Sequence, residues 1–324
     1  MIFSKAKWDN GKEIGQYVPT SASLGYDKMS SSLQSAEDLF LVPLLGADMM
    51  QSIIDIYDTP PVGRSADDEL LLSISQRAEA NLAFWYNFDA LQLRITDQGF
   101  QRQGSDDWQQ AYKYQEDRLR EGFKMKGFNA IDMLLDFLEL NIDTYTAYSG
   151  SPAHITRSYS LVKTTKEVER WVPIGLSRLM FLRLSAEFPT VEEDILQAEL
   201  GAELYEQLQR WLHLNGRLPE DFETFRQRCV RVVVTGAAIR VLQRTGNLTE
   251  RGLYFSGISA ENSENKTWKN ASDGEIGSRL EGYQEDLRRG LAALRSYVIE
   301  HFDEGRKKGH VVRDNDGHAG FFAF

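Results

Sequence analysis

The sequence predicts an all-α fold in which one helical-bundle unit occurs twice, with short extended arms and an extended carboxy-terminal tail. First, apolar residues recur at spacings of three and four, as they do on one face of an α-helix; Met29, Leu33, Ala36 and Phe40 form one such series. Second, several short motifs return in the same order in the second half of the chain, which is typical of an internal duplication. Third, only short stretches alternate between apolar and polar residues as strands do.

Five pairs of motifs match between the two halves. The tetrapeptide Tyr-Gln-Glu-Asp occupies 114–117 and again 283–286, a separation of 169 residues. The other four pairs are separated by 153–160 residues, so the matches predict about sixteen extra residues late in the second copy, at about 255–280. These four pairs are 13–19 with 167–173, 45–48 with 200–203, 95–100 with 248–253, and Trp108 and Ala111 with Trp268 and Ala271.

The matches and the glycine and proline residues predict the domain boundaries. A polar lead occupies residues 1–12, the first repeat 13–148, the second repeat 167–303 and the tail 304–324. The intervening residues 149–166 contain Gly150 and Pro152, which favour a linker.

Apolar spacing also predicts the individual helices. In the first repeat they cover about 26–45, with a kink or a restart at Gly46, about 67–89, and a long stretch from about 106 to beyond Leu138. In the second repeat helices begin near 165, and others cover about 176–200, 219–242 and 278–302. Residues 91–96 alternate and are followed by turn residues, which predicts a short strand or an extended arm.

Composition excludes several classes of function. The chain has 324 residues and a formal net charge of -11, which disfavours wrapping nucleic acid or binding anionic membranes. A single cysteine, Cys229, excludes an intramolecular disulfide and a cysteine zinc site, and its apolar neighbours favour a core position. No run of eighteen apolar residues and no signal-peptide pattern occurs, so we expect a soluble protein that is not exported by a standard signal.

No motif for catalysis, cofactor binding or metal binding is present. The sequence lacks the phosphate-binding loop, the dinucleotide-binding glycines, the nucleophile elbow and the zinc-protease motif. The paired acids Glu116 with Asp117 and Glu285 with Asp286 could be offered as acid and base, but neighbours on a helix point about 100° apart, which favours a solvated face or an ion pair between subunits. We therefore expect no catalytic residue, no cofactor and no metal.

The candidate interface lies in the arm at 91–96, in a second extended arm predicted at 252–255, and in the tail. An arm can add a strand to a neighbouring chain, using the backbone of residues 91–95, although a polar turn with glycine at positive φ remains open. The three phenylalanines at the chain end favour a peptide anchor over a disordered end, because each stabilises by about 2 kcal/mol when buried. The candidate residues are Leu93, Ile95, Thr96, Asp97 and Gly99; Thr249, Glu250, Gly252 and Tyr254; Arg306, Lys307, Lys308, Phe321, Phe322 and Phe324.

The order of these segments resembles the small helical head-to-tail connector (adaptor) proteins of tailed bacteriophages. The motifs that carry the resemblance are Tyr-Val-Pro at 17–19, Trp-Val-Pro at 171–173, and Leu-Gly-Ala followed by an acid at 45–48 and 200–203. The full two-copy arrangement is most similar to an uncharacterised family of Bacteroidetes phages and prophages, over about 13–303. Ordinary connectors carry one copy of the unit, so a duplicated chain is compatible with twelve two-lobed subunits or with fewer subunits.

The resemblance implies a non-enzymatic structural protein of the virion neck, present in the host bacterial cytoplasm during assembly. Such proteins form a ring, typically of twelve subunits, below the portal protein; they contact portal and tail or neck proteins and let double-stranded DNA pass, and no membrane is involved. Two alternatives stay open. One is a cytoplasmic helical scaffold or assembly chaperone that binds a partner peptide between its two lobes, and the other is a hydrolase that uses the duplicated carboxylates.

Overall fold

A computed structural model describes residues 1–20, 24–96, 99–102, 113–213, 221–245, 254–256, 268–270 and 273–302. The fold is all-α, as predicted, with two small antiparallel hairpins added to the helices. The chain divides into two compact units, Met1–Arg183 and Leu184–Phe324. We call them unit 1 and unit 2 and describe each by itself.

Unit 1 begins with a segment of short 3-10 turns and continues with helices that pack around α4 and α6. The interior contains apolar side chains of the first twenty residues, among them Ile2, Phe3, Trp8 and Ile14, all almost fully buried. The elements are α1 Tyr26–Ala36, α2 Val42–Leu45, α3 Ala47–Asp58, α4 Ala66–Tyr86, α5 Phe88–Gln92, β1 Leu93–Thr96, β2 Gly99–Arg102, α6 Lys113–Leu140, α7 Thr146–Ser149, α8 Pro152–Tyr159 and α9 Thr165–Glu169.

Unit 2 packs its helices around α14 and α15 in a similar order. Helix α10, Arg178–Ser185, crosses the division between the two units. The remaining elements are α11 Phe188–Val191, α12 Ala198–Leu200, α13 Ala202–His213, α14 Phe222–Thr245, β3 Tyr254–Ser256, β4 Trp268–Asn270 and α15 Asp273–His301.

Each unit contains the same sharp corner between two helices. A π-helical turn, Glu37–Leu41 in unit 1 and Glu192–Gln197 in unit 2, leads into a short helix that ends at a glycine. The two glycines, Gly46 and Gly201, have φ of 87° and 78°, a backbone conformation that a residue with a Cβ rarely adopts. In unit 1 the direction of the helix changes by 118° there. The restart predicted at Gly46 is thus confirmed, and the corner has a counterpart in unit 2.

Local capping explains where two of the helices begin. The Ser65 hydroxyl accepts the Asp68 amide at 3.1 Å, and the Asp68 carboxylate accepts the Ser65 amide at 3.3 Å, which is the reciprocal capping pattern at the start of α4. Thr164 and Glu167 make the same pair of bonds at the start of α9, at 3.2 and 3.1 Å. These bonds satisfy amides that have no partner within the helix.

The predicted linker is wrong, because residues 149–166 include a helix that belongs to unit 1. Ser151 caps α8 by accepting the His154 amide at 3.1 Å, and Pro152 stands in the first turn, where its missing N–H costs nothing. Gly150 and Pro152 therefore mark a helix start. Helix α8 packs on α2, and its Arg157 forms an ion pair with Glu139 of α6.

The predicted insertion of about sixteen residues at 255–280 is also wrong. Strand β1 ends at Thr96 and α6 begins at Lys113, and strand β3 ends at Ser256 and α15 begins at Asp273, so both connections have the same length. The tetrapeptide predicted an insertion because its two copies lie at different positions in their helices. The first copy starts in the first turn of α6, and the second starts almost three turns into α15. The two copies of Tyr-Gln-Glu-Asp therefore do not occupy equivalent positions. The duplication itself stays a prediction, which the shared order of elements supports.

Candidate functional site

The extended arm predicted after α5 is a hairpin of β1 and β2. Leu93 pairs with Arg102, Ile95 with Phe100, and Thr96 with Gly99. Strand β1 begins only at Leu93, so the prediction that the backbone of residues 91–95 is extended is wrong for Leu91 and Gln92, which belong to α5. The arm pairs within its own chain, and within the described residues this sheet has two strands. Neither strand pairs with a third strand among the residues that the structure describes.

A second hairpin precedes the last helix of unit 2. Tyr254 pairs with Asn270 and Ser256 with Trp268. The motif with Thr96 and Gly99 flanks the turn of the first hairpin, whereas the similar motif at 249–252 comes before β3 in the chain, so the two motifs hold different positions. Several predicted interface residues lie outside the described residues: Asp97, Thr249, Glu250, Gly252, Arg306, Lys307, Lys308, Phe321, Phe322 and Phe324.

An aromatic cluster lies between α4 and α6 near the start of the first hairpin. The Phe40 ring is 5.9 Å from Trp85 and 5.9 Å from Phe128, measured between ring centroids, and the ammonium of Lys124 lies 5.8 Å from the Trp85 ring. Phe88, in the short helix that leads into β1, packs on Phe123 at 6.3 Å. The Phe40–Phe128 pair is edge-to-face and the other two pairs are tilted. Packed aromatic pairs stabilise a structure beyond simple burial, so the hairpin starts from a rigid base.

The paired acids lie on helix surfaces. Glu285 forms ion pairs with Arg288 and with Arg289 of its own helix, the latter at 2.8 Å. Both ion pairs join residues of the same helix, which fits a solvated helix face. Among the residues that the structure describes, no three His, Cys, Asp or Glu side chains are placed to hold a metal ion.

A buried acidic centre in unit 1 was missed by the sequence analysis. The carboxylate of Glu37, the first residue of the π-helical turn, lies 3.1 Å from the amino group of Met1. The side-chain amide of Gln76 donates to the Ile2 carbonyl at 2.8 Å and to Glu13 at 3.2 Å. Glu79, one turn further along α4, is fully buried. These groups fix the amino-terminal segment against α4.

The carboxyl groups of this centre titrate abnormally. Burial raises the pKa of Glu79 well above its usual value, the negative charge of Glu37 raises it further, and the Met1 amino group opposes the rise. Burial also raises the pKa of Glu13, against hydrogen bonds from Tyr57 and Gln76. The available signal was the position of Gln76 and Glu79, which follow Leu72 at helical spacing on the core-facing side of α4.

Unit 2 has a partly buried glutamate at the corresponding corner. Glu192 is the first residue of the second π-helical turn, and burial raises its pKa to about 7, while hydrogen bonds from Gln209 and Tyr205 oppose the rise. Nearby, Glu187 binds Arg240 at 3.3 Å and Arg244 at 2.5 Å.

Length and composition single out no individual helix of the described residues as able to span a membrane. One pair of helices, Tyr26–Leu45 and Ala47–Asp58, meets those two criteria together but is sharply bent between them.

Comparison with known proteins gives a match to a family model over part of the chain. Residues 41–157 match the family described as "Family of unknown function (DUF6712)". The matched range runs from the first π-helical turn through both helices of the α4–α6 pair to α8, and so covers the first corner and the first hairpin. No curated protein and no solved structure matches the chain.

Proposed function

We propose that the protein is a non-enzymatic structural subunit of a phage virion, a head-to-tail connector that forms a ring below the portal and lets double-stranded DNA pass. The observation that carries the proposal is the hairpin directly before the last long helix of each unit. Such a hairpin presents free backbone N–H and C=O groups to a neighbouring subunit, and strand addition supplies directional bonds between identical chains. The resemblance of the sequence to connector proteins supplies the biological setting.

Ring formation would also stabilise the two hairpins. A two-stranded hairpin alone is marginally stable in water, so a neighbour that extends the sheet would stabilise it. The net charge of -11 is compatible with a channel through which DNA slides without binding. In this proposal the subunits bind one another first, and the portal protein and the tail or neck proteins bind the completed ring.

The test is the oligomeric state of the full chain, measured by native mass spectrometry and negative-stain electron microscopy over a range of concentrations. We expect rings of about a dozen subunits, as the resemblance implies. A chain that stays monomeric and is also absent from purified phage particles would overturn the proposal. A monomer that instead captures a peptide segment would favour the scaffold or chaperone alternative.

A paired variant tests the role of the first hairpin. Replacing Leu93 and Ile95 of β1 together by Asp places two charges in the strand and should reduce the ring fraction at least tenfold at equal protein concentration. Val62 is fully exposed in the loop before α4, so Val62→Asp is the matched control and should leave the rings intact. Circular dichroism checks that helix content is unchanged. Equal ring fractions in both variants would exclude the first hairpin from the interface.

A further inference from the structure

Three acids on one face of α6 bind the part of unit 1 that follows this helix. They stand four and three residues apart, a spacing that places side chains on the same face of a helix. The pairs are Glu139 with Arg157 of α8, Asp136 with Lys166 of α9 at 2.6 Å, and Asp132 with Arg178 of α10 at 3.6 Å. The chain after α6 therefore runs back along this helix, with at least one ion pair to each of α8, α9 and α10.

Helix α8 depends on its ion pair more than α9 and α10 do. None of its eight residues, Pro152–Tyr159, all of which the structure describes, is buried. In contrast, α9 buries Thr165 and Val168, and α10 buries Met180. Because burial of apolar surface stabilises by about 25 cal/mol per Å², α8 gains less from packing than its two neighbours do. Its polar contacts therefore supply a larger share of what holds it in place.

Buried residues fix the chain on both sides of α8. Ser151, directly before the helix, is buried, and a Cβ on Gly46 of the corner would lie 2.8 Å from the Ser151 Cβ. Leu161 and Val162 follow the helix after one intervening residue and are also buried. Helix α8 is thus a short, half-exposed element between two fixed points of unit 1.

The polar contacts of α8 converge on the Glu139 carboxylate. It binds Arg157 of α8, accepts the Tyr148 hydroxyl at 3.1 Å, and lies 3.6 Å from Nε2 of His154. The other ring nitrogen of His154 lies 3.1 Å from the Ser149 carbonyl oxygen. The side chains of Arg157 and His154 are 14% exposed, whereas that of Glu139 is 46% exposed. Solvent ions can therefore reach the carboxylate and screen its pairs.

We infer that α8 opens locally while the rest of unit 1 stays folded, and that the charge of Glu139 holds it closed. Opening breaks the contacts of Glu139 with Arg157 and His154 and uncovers the part of α2 on which α8 packs. It exposes little new apolar surface, so it requires much less free energy than global unfolding. The inference does not depend on the proposed function, since it concerns one chain and not a ring.

Hydrogen exchange of the full chain tests the role of Glu139. Glu139→Gln keeps the shape of the side chain and removes its charge, so amide exchange in residues 155–159 should increase at least threefold, with α3 and α6 unchanged. The matched control is Asp136→Asn, which removes the same charge about one turn away, breaks the pair with Lys166 and should leave exchange in α8 unchanged. Unchanged exchange in α8 of Glu139→Gln would overturn the inference, and so would an equal increase throughout unit 1.

Salt gives a second measurement that needs no substitution. Raising sodium chloride from about 0.1 M to about 1 M shortens the screening length from about 10 Å to about 3 Å, which weakens the pairs of a half-exposed carboxylate. Exchange in residues 155–159 of the unmodified chain should then increase at least twofold relative to α3, and Glu139→Gln should lose this response. Exchange in α8 that does not depend on salt, or that responds equally in both proteins, would mean that Glu139 does not hold α8 closed.

Discussion

The central helices of the two units differ in what they bury. Helix α4 of unit 1 buries Gln76, Glu79 and Asn81, whereas α14 of unit 2 buries a run of valines, Val232–Val234, on the same stretch as Thr235. Of these side chains, Gln76 binds the amino-terminal segment, because its amide donates to the Ile2 carbonyl and to Glu13. A common order of helices therefore tolerates two kinds of interior. One is specified by hydrogen bonds to a particular segment, and the other by apolar packing.

The corners, in contrast, are alike. Both have a π-helical turn that begins with a glutamate, a short helix and a glycine with positive φ. The difference between the units thus lies in the central helix, and the backbone of the corner is the shared part.

The largest expected effect comes from placing a carboxyl group, such as Glu79 of unit 1, in the interior of unit 2. Val233 is fully buried, and Val233→Glu would bury a carboxyl group among apolar side chains, without the nearby positive charge that the Met1 amino group supplies to Glu79. We expect unit 2 to lose about 4 kcal/mol or more of stability. Hydrogen exchange resolved by residue should show fast exchange in α14 and α15, with α4 and α6 protected as before.

The control for this comparison is Val62→Glu, on a fully exposed side chain, which should change stability by less than about 0.5 kcal/mol. If Val233→Glu left the protection of α14 intact, the interior of unit 2 would have to contain a partner for the charge. The contrast between a polar and an apolar interior would then be lost.

Helix positions could be predicted from the sequence, and connections could not. The spacing of Met29, Leu33, Ala36 and Phe40 located the helix that ends at Gly46, since one buried face imposes a period of 3.6 residues. The repeated tetrapeptide gave a wrong register in the last helix, because surface residues of a helix are not constrained by packing. Tyr283 lies only partly buried there, whereas Leu287 and Leu294 form the buried side.

The candidate site was predictable in part for the same reason. Alternation of apolar and polar residues located β1, but the partner strand β2 depends on a turn that the pattern does not specify. The buried glutamates were not predictable, because a buried Glu is recognised by its partners. Met1 and Ile2 are distant from Glu37 and Gln76 in the sequence and meet them only in the folded unit.

A medium effect tests the contact between the long helices α4 and α6 of unit 1, and in unit 2 a glycine of α14 comes equally close to the short helix α11. A Cβ on Gly127 of α6 would lie 2.7 Å from the Leu82 Cγ of α4, and a Cβ on Gly236 of α14 would lie 2.7 Å from Val191. We expect Gly127→Ala to cost about 1–3 kcal/mol, since the two helices must move apart. Gly122→Ala on the same helix meets no atom within 4 Å and should stabilise by about 0.5–1 kcal/mol, because alanine is the better helix former. Urea unfolding measures both, and a stabilised Gly127→Ala would contradict the close packing of α4 and α6.

The smallest expected effect concerns the pH dependence of stability, and it compares Glu192 of unit 2 with Glu79 of unit 1. The Glu192 carboxyl has a pKa of about 7 in the folded unit and titrates near 4.5 when unfolded, so the folded state holds the proton over that interval. The stability contributed by Glu192 is therefore complete below pH 4.5 and is lost as the pH rises to about 7. Glu192→Gln should remove this loss and make unit 2 more stable at pH 8, by about 1–2 kcal/mol, with little difference at pH 4.

Glu79→Gln should change unit 1 in the same direction, since the pKa of Glu79 is also raised. Hydrogen exchange measured from pH 4.5 to pH 8 separates the two, because each substitution should protect the helices of its own unit, after correction for the intrinsic pH dependence of exchange. If Glu192→Gln left the pH dependence of unit 2 unchanged, the Glu192 carboxylate would be ionised and solvated in the folded state. Glu192 would then differ from Glu79, whose pKa is raised by burial.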